Sequence, residues 1–276
     1  MSIHTSTSRP DLPLSAEAQA AAGRIASDAR DTGVAPGGVL LVHSSLSAMG
    51  HVPGGAETVI RGLLQALGPE GTLLMPALSY ERVTEKNPTF DVLRTPSNVG
   101  AIPEAFRTRP GTRRSIHPTH SVCGVGPRTA ELLNGHDRDT TPCGECSPFR
   151  KLRDVSGQIL MLGCGLRPNT SMHAIEELVV PPYVFGPPLT YTLVYADRTS
   201  VERTYTTHGF DGWAQRYDRV AEVLEDPGLR LGRILEAQVH LLQAKALWDA
   251  VYAAMVQDSL RFVDRVADES SSRNRR

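Results

Sequence analysis

The chain has 276 residues, 40% of them hydrophobic, enough to bury a real core and intermediate between one large domain and two small ones. A formal net charge of −1 provides no overall field toward nucleic acid or an anionic membrane, which leaves small molecules as the expected partners. No run of about 18 apolar residues occurs and the N-terminus lacks a signal-peptide core, so a cytoplasmic chain with reduced cysteines is expected.

Residues 1–13 are polar and carry two prolines, and residues 267–276 are polar without periodicity. Both are expected to be frayed tails around one domain spanning 14–266. "SAEAQAAAGRIASDARDTG" has a serine cap, a run of helix formers and a closing glycine, which predicts a helix from about Ala16 to Ala29. "GGVLLVHSS" is a short apolar run bounded by glycine, the pattern of a buried strand. "GGAETVIRGLLQALG" then places Val59, Ile60, Leu63, Leu64 and Leu67 at helical spacing, and "GTLLMPAL" reads as a second buried strand. Strand, helix and strand over about 40 residues make a βαβ unit with a parallel sheet.

From Ser79 to Arg153 prolines and glycines are dense and periodicity is weak, and such a stretch inside a compact domain usually carries function. "GQILMLGCG" is a third buried strand, and "TSMHAIEELV" opens a short helix at Thr170. "LTYTLVYADRTSVERTYTTH" reads as a hairpin turning at Asp197 and Arg198. From about Trp213 to Asp264 the apolar series Leu235, Val239, Leu242 and Leu247 predicts mostly helix. The expected fold class is α/β: a single domain with a mainly parallel central sheet, helices on both faces and a long irregular insertion.

Chemistry could sit in four places. In "LLVHSSLSAMGHVPGGAETVI" a strand feeds serines, glycines and a helix, presenting backbone N–H groups to an anion; a tightly packed βα turn explains the same glycines. It is neither a Walker loop nor G-x-G-x-x-G. In "GCGLRPNTSMHAIEE", Thr170, His173 and Glu176 stand at i, i+3 and i+6, with Asn169 or Thr170 as the cap. His173 then falls in the first turn, where the helix dipole favours the neutral imidazole a general base needs; a ring that merely packs there is the alternative. "CGEC" (Cys143, Cys146) has no strand before it and no second cysteine pair, which argues against thioredoxin-like redox chemistry and a zinc knuckle; Cys123 and Cys164 are single. "SIHPTHSVCGVG" spaces His117 and His120 around Pro118 in an extended or turn segment, leaving a structural role, a metal or a substrate or cofactor contact open.

The blocks "LVHSSLSAMGHVPGGAETVIRGLLQALGPEGTLLMPALSY", "TPSNVGAIPEAFRTRPGTRRSIHPTHSVCGVG", "GECSPFRKL" and "NTSMHAIEE" resemble, in order and spacing, those of the aminoglycoside 3-N-acetyltransferase family, from about Pro36 to Phe262. The resemblance implies an antibiotic N-acetyltransferase-like α/β fold and acetyl transfer from acetyl-CoA, as co-substrate, to a primary amine, most simply the 3-amino group of an aminoglycoside. It implies Thr170, His173 and Glu176 as the catalytic segment. His43, Ser44, Ser45 and Leu46 match the loop that receives CoA, and Arg114, Ser121, Ser147 and Pro148 match positions along the same cleft. It implies no metal, no nucleic acid and no membrane, and is compatible with a homodimer. By the same resemblance "SIHPTHSV" is a cofactor-side loop. The rival readings are acylation of a different, biosynthetic amine, a covalent route through Cys164, a metal-dependent hydrolase using His117 and His120, and a CoA-binding protein without catalysis.

Overall fold

A computed structural model describes residues 13–266; all but residue 13 of the expected tails lies outside the described residues. In chain order the elements are α1 (Ala16–Thr32), β1 (Val39–Ser44), α2 (Gly55–Leu67), β2 (Thr72–Pro76), β3 (Thr89–Asp91), α3 (Ala101–Thr108), β4 (Arg113–Arg114), β5 (Val122–Val125), α4 (Thr129–Leu133) and α5 (Pro148–Asp154). They continue with β6 (Gln158–Leu162), α6 (Ser171–Val179), β7 (Phe185–Val194), β8 (Ser200–His208), β9 (Trp213–Gln215), β10 (Leu229–Ile234), β11 (Ala237–Gln243), α7 (Ala244–Gln257) and β12 (Val263–Arg265). The first helix runs on to Thr32 and stops at Gly33, left-handed at φ 110°, while Ser15 caps its start by accepting from the Ala18 N–H.

The main sheet has the order β10-β11-β6-β1-β2-β5-β4. The α/β class expected holds, with helices on both faces of the sheet; its parallel part is confined to the centre, β6-β1-β2, while β5, β4, β11 and β10 are antiparallel to their neighbours. The βαβ unit behaves as its sequence predicts because parallel neighbours need a crossover, supplied by α2. Of the antiparallel neighbours, β10 and β11 join through a tight return at Leu235 and Glu236, whereas β2 reaches β5 and β6 reaches β11 only after long intervening segments.

Side chains alternate across the sheet. Val39, Leu41, Leu74, Ile159 and Met161 face one apolar layer with Phe149, Ile175 and Trp248 from α5, α6 and α7. Leu40, Val42, Leu73, Met75 and Leu160 face the other, with Ile25, Leu63 and Phe106 from α1, α2 and α3. Both faces are therefore covered by helices, and the near-continuous apolar runs of the central strands follow from that.

Residues 213–264 correct one expectation. They hold one long helix, α7, together with β9, β10, β11, β12 and a short 3₁₀ turn at Tyr217–Glu222. Leu235, Val239 and Leu242 mimic a helical stripe, but β11 pairs along β6 and sends Val239 and Leu241 into one layer and Leu242 into the other. Burial on both faces produces apolar spacing that carries no helical information. The hairpin expected around Asp197 and Arg198 is present as β7 and β8, and β3 joins it as a third strand, parallel to β7. Among the described residues no helix is long and apolar enough to cross a membrane.

Candidate active site

Strands β1 and β6 run parallel and end side by side, with Ser44 opposite Leu162, so the segments leaving them meet at the carboxyl edge of the sheet. After β6 the chain turns at Gly163 (φ 70°), where an added Cβ would stand 2.6 Å from the Ala48 side chain. It then enters α6, where the Asn169 side-chain oxygen accepts from the Ser171 N–H at 3.1 Å. Thr170 occupies the cap position without a side-chain capping bond, and it lines the cleft above.

His173 is in the first turn of α6, and Glu176, one turn on, is fully buried. A carboxylate taken out of water needs donors, and three converge on it. His173 Nδ1 donates to Glu176 Oε2 at 3.0 Å, Tyr217 donates its hydroxyl to the same oxygen at 2.7 Å, and Tyr183 donates to Oε1 at 2.9 Å. Burial first, then the neighbouring Glu176, pushes both phenols well above the usual tyrosine range, so they stay protonated as donors. The Tyr217 oxygen also lies 3.0 Å from His173 Nδ1. With Nδ1 engaged as donor, the lone pair of His173 resides on Nε2.

A second histidine–carboxylate pair lies alongside. His208, the last residue of β8, donates from Nε2 to Glu177 Oε1 at 2.9 Å. The same carboxylate accepts from the Cys143 N–H at 2.8 Å and the Thr141 hydroxyl at 2.6 Å. Burial raises Glu177 and lowers His208 well below the ordinary imidazole range, so His208 is neutral. The His173 and His208 rings lie 4.6 Å apart, and His120 lies 4.9 Å from His208. One nitrogen from each of these three rings is within 4.8 Å of the other two, the only such grouping of His, Cys, Asp or Glu ligands among the described residues.

These rings line a cleft of about 720 Å³ whose walls also include His43, Ser44, Tyr80, Asn169, Phe210 and Asp211. Ser44 is shared with an adjoining hollow of about 560 Å³ formed by Ser45, Leu46, Ser47, Gly50 and His51, with Gly55 at the start of α2 and Ala101 at the start of α3. Two helix N-termini and a serine-rich turn make that hollow suited to phosphate. His43 is held down at about 3 by burial and then by His173, and its Nε2 has no protein partner.

Thr170, His173, His43 and Ser44 thus meet in one cleft, with Glu176 behind His173 and Ser45 and Leu46 in the adjoining hollow. Arg114, Ser121, Ser147 and Pro148 do not line either space. The Arg114 guanidinium is spent on Ser121 and the carbonyls of Ala77, Thr95 and Val92, and lies over the Phe90 ring at 4.8 Å. Ser121 donates to Ala77, and Ser147 caps α5 at Phe149, with Pro148 in its first turn. In "SIHPTHSV" Thr119 and His120 reach the cleft, whereas His117 does not line it; His117 Nδ1 accepts the Thr119 and His120 N–H groups and braces the loop. A His117–His120 metal pair therefore has no support. Cys164 lines the cleft but burial lifts its thiol to about 11, which disfavours the covalent route. Cys143 is buried, and the CGEC segment leads into α5. Sequence reasoning missed Tyr183, Tyr217, His208 and Glu177: Tyr183 and Tyr217 stand in no motif, and although Glu177 ends the NTSMHAIEE block and His208 ends the hairpin segment, nothing local pairs the two.

The profile of the family described as aminoglycoside 3-N-acetyltransferase matches residues 41–256. The chain belongs to this family. Relatives within it include aminoglycoside N(3)-acetyltransferase IX of Micromonospora chalcea, 35% identical over 172 residues that cover 56% of this chain and 61% of that one. Aminoglycoside N(3)-acetyltransferase VIII of Streptomyces fradiae is 33% identical over 177 residues, covering 58% and 62%. The chain thus spans about three fifths of the length of these relatives, 61% and 62%. Among solved structures of the family, the AAC-IIIb binary complex with CoASH superposes with a TM-score of 0.74 at 28% identity, over 86% of this chain and 96% of that one. AAC-VIa bound to sisomicin superposes at 0.71 and 26% identity, over 85% and 96%.

Proposed function

We propose that the protein transfers the acetyl group of acetyl-CoA to a primary amine, the 3-amino group of an aminoglycoside. The observation that carries this reading is the His173–Glu176 pair: an imidazole fixed by a buried carboxylate, with Nε2 as its lone-pair atom, inside a cleft continuous with a phosphate-suited hollow. The CoA phosphates rest in the hollow, and the pantetheine passes Ser44 and His43 to bring its thioester to His173. Family membership and the CoASH complex of a relative support this placement. Dependence on acetyl-CoA as co-substrate is consistent with a cytoplasmic enzyme.

His173 Nε2 removes a proton from the substrate ammonium, and the freed amine attacks the thioester carbonyl carbon. The carbonyl oxygen becomes an oxyanion, for which the uncommitted Thr170 hydroxyl is a donor. As the intermediate collapses, the C–S bond breaks and the imidazolium protonates the leaving thiolate; the ring then takes the second proton from the acylated nitrogen and releases it to solvent, which returns His173 to its neutral form. Glu176 holds the ring in the Nδ1–H tautomer and offsets the charge that forms on it. Metal is not needed for any of these steps.

One observation favours a second reading of the acceptor. Asp211 is the only aspartate or glutamate among the cleft-lining residues, against the polycationic charge of an aminoglycoside. A less charged primary amine fits the same chemistry. Acetyl-CoA turnover, read by thiol release over a panel of aminoglycosides and simple amines, separates the two. N-acetylation at the 3-amino position, located by NMR of the product, supports the aminoglycoside reading; turnover restricted to monoamines replaces it, and no turnover with any amine removes both.

A further inference from the structure

We infer that His120, His173 and His208 form a binding site for a zinc-like divalent cation within the cleft, and that an ion held there takes the His173 lone pair out of catalysis. The residues come from three distant segments: the loop before β5, the first turn of α6 and the end of β8. Yet one nitrogen of each lies within 4.8 Å of the others. Three imidazoles with an open fourth position are the ligand set zinc takes in its three-protein-ligand sites.

What lifts this above a chance cluster is the shell behind it. In metal sites the distal nitrogen of each ligating histidine is tied to a carboxylate or another acceptor, which fixes the tautomer and aims the other lone pair. Here His173 Nδ1 is tied to Glu176, His208 Nε2 to Glu177 and His120 Nδ1 to the Thr119 hydroxyl at 2.8 Å. The remaining nitrogens, His173 Nε2, His208 Nδ1 and His120 Nε2, have no protein partner among the described residues. The consecutive Glu176 and Glu177 also place two carboxylates behind two of the ligands, where they offset a dication. Glu177 has no part in the transfer chemistry above, and this site gives its buried, three-donor environment a purpose.

Tetrahedral bonds of about 2.0–2.1 Å require ligand nitrogens about 3.3 Å apart, closer than the 4.8 Å limit found here. The difference is closed by pivoting the rings about their anchored nitrogens, since the second side-chain torsion of histidine has a broad well. The fourth position opens to the cleft, so water or the incoming amine occupies it. Cation binding rests on the ring geometry alone; only its effect on turnover rests on His173 being the base.

The test uses tag-free, chelator-treated full-length protein titrated with Co²⁺, whose visible d–d bands report low-coordinate nitrogen ligation without substrate or CoA. The expected result is saturation at one equivalent, bleached by one equivalent of Zn²⁺. His120→Ala and His208→Ala each abolish stoichiometric binding, Glu177→Gln weakens it roughly 10- to 100-fold, and His240→Ala, on β11, leaves it intact. No saturable signal with the wild type, or an unchanged signal in both His120→Ala and His208→Ala, overturns the site. Should the alanine variants fail to fold, Glu177→Gln, which keeps every ring, decides: wild-type affinity there overturns the proposal. Full acetyl transfer at saturating Zn²⁺ overturns the inhibitory half while leaving the reading of His173 as base standing.

Discussion

His173 and Glu176 are joined by a 3.0 Å hydrogen bond whose acceptor is fully buried, so one turn of α6 carries both the proposed base and the carboxylate that orients its ring. Glu176→Gln keeps the ring but replaces an acceptor with an amide facing three donors. We expect kcat to fall about 10- to 100-fold, the cost of losing one charged hydrogen bond, while KM for acetyl-CoA changes little. Steady-state kinetics check this, and unchanged kcat contradicts the orienting role.

Tyr217 and Tyr183 tie that carboxylate to segments on the far side of α6. Tyr217→Phe leaves Oε2 with one donor fewer in a site closed to water. A loss of about 1–3 kcal/mol in unfolding free energy is expected, measured by urea denaturation. A variant as stable as wild type shows that Glu176 finds another donor.

Acid should destabilise the fold before its carboxylates titrate. Burial holds His43 and His136 at about 3 in the folded chain, whereas both return to about 6.5 when unfolded. Above pH 6.5 both states are neutral and their contribution is complete. As the pH falls from 6.5 toward 3 the unfolded chain binds more protons, and stability drops by up to about 1.4 kcal/mol per pH unit for each histidine. Glu177, raised by burial, titrates with the opposite sign and offsets part of this. Urea unfolding between about pH 8 and pH 5 reads the slope; a flat profile across 6.5 contradicts the buried neutral histidines.

The CGEC cysteines should be dispensable for chemistry but unequal in stability. Cys143 is fully buried and Cys146 only partly so. Cys146→Ser is expected to match wild type, and Cys143→Ser to lower the melting temperature while folded molecules keep their turnover. Loss of turnover in folded Cys143→Ser protein points to a role for the thiol.

How much of this was legible in the sequence depended on whether the signal was local. The strands β1, β2 and β6 are short apolar runs flanked by glycine, and α1 carries its own cap and stop, so each is readable in place. The T-x-x-H-x-x-E segment is likewise local, because three or four residues make one helical turn. Tyr217 lies 41 residues from the carboxylate it serves and His208 lies 31 from Glu177; only the packing of the β7–β8 hairpin and the Tyr217 turn against α6 brings them together. Strand β11 reads as helix because both its faces are buried, and Arg114, which the resemblance puts along the CoA cleft, is turned onto backbone carbonyls, partners that no sequence pattern records.

The measurement that bears most directly on the account is His173→Ala, assayed with acetyl-CoA and the best acceptor, alongside calorimetric CoA binding. The imidazole meets the amine, which CoA does not carry, so kcat should fall about 10²- to 10⁴-fold while CoA affinity stays at the wild-type value. Wild-type turnover in His173→Ala, or loss of CoA binding with no separate effect on the chemical step, contradicts the assignment of His173 as the general base.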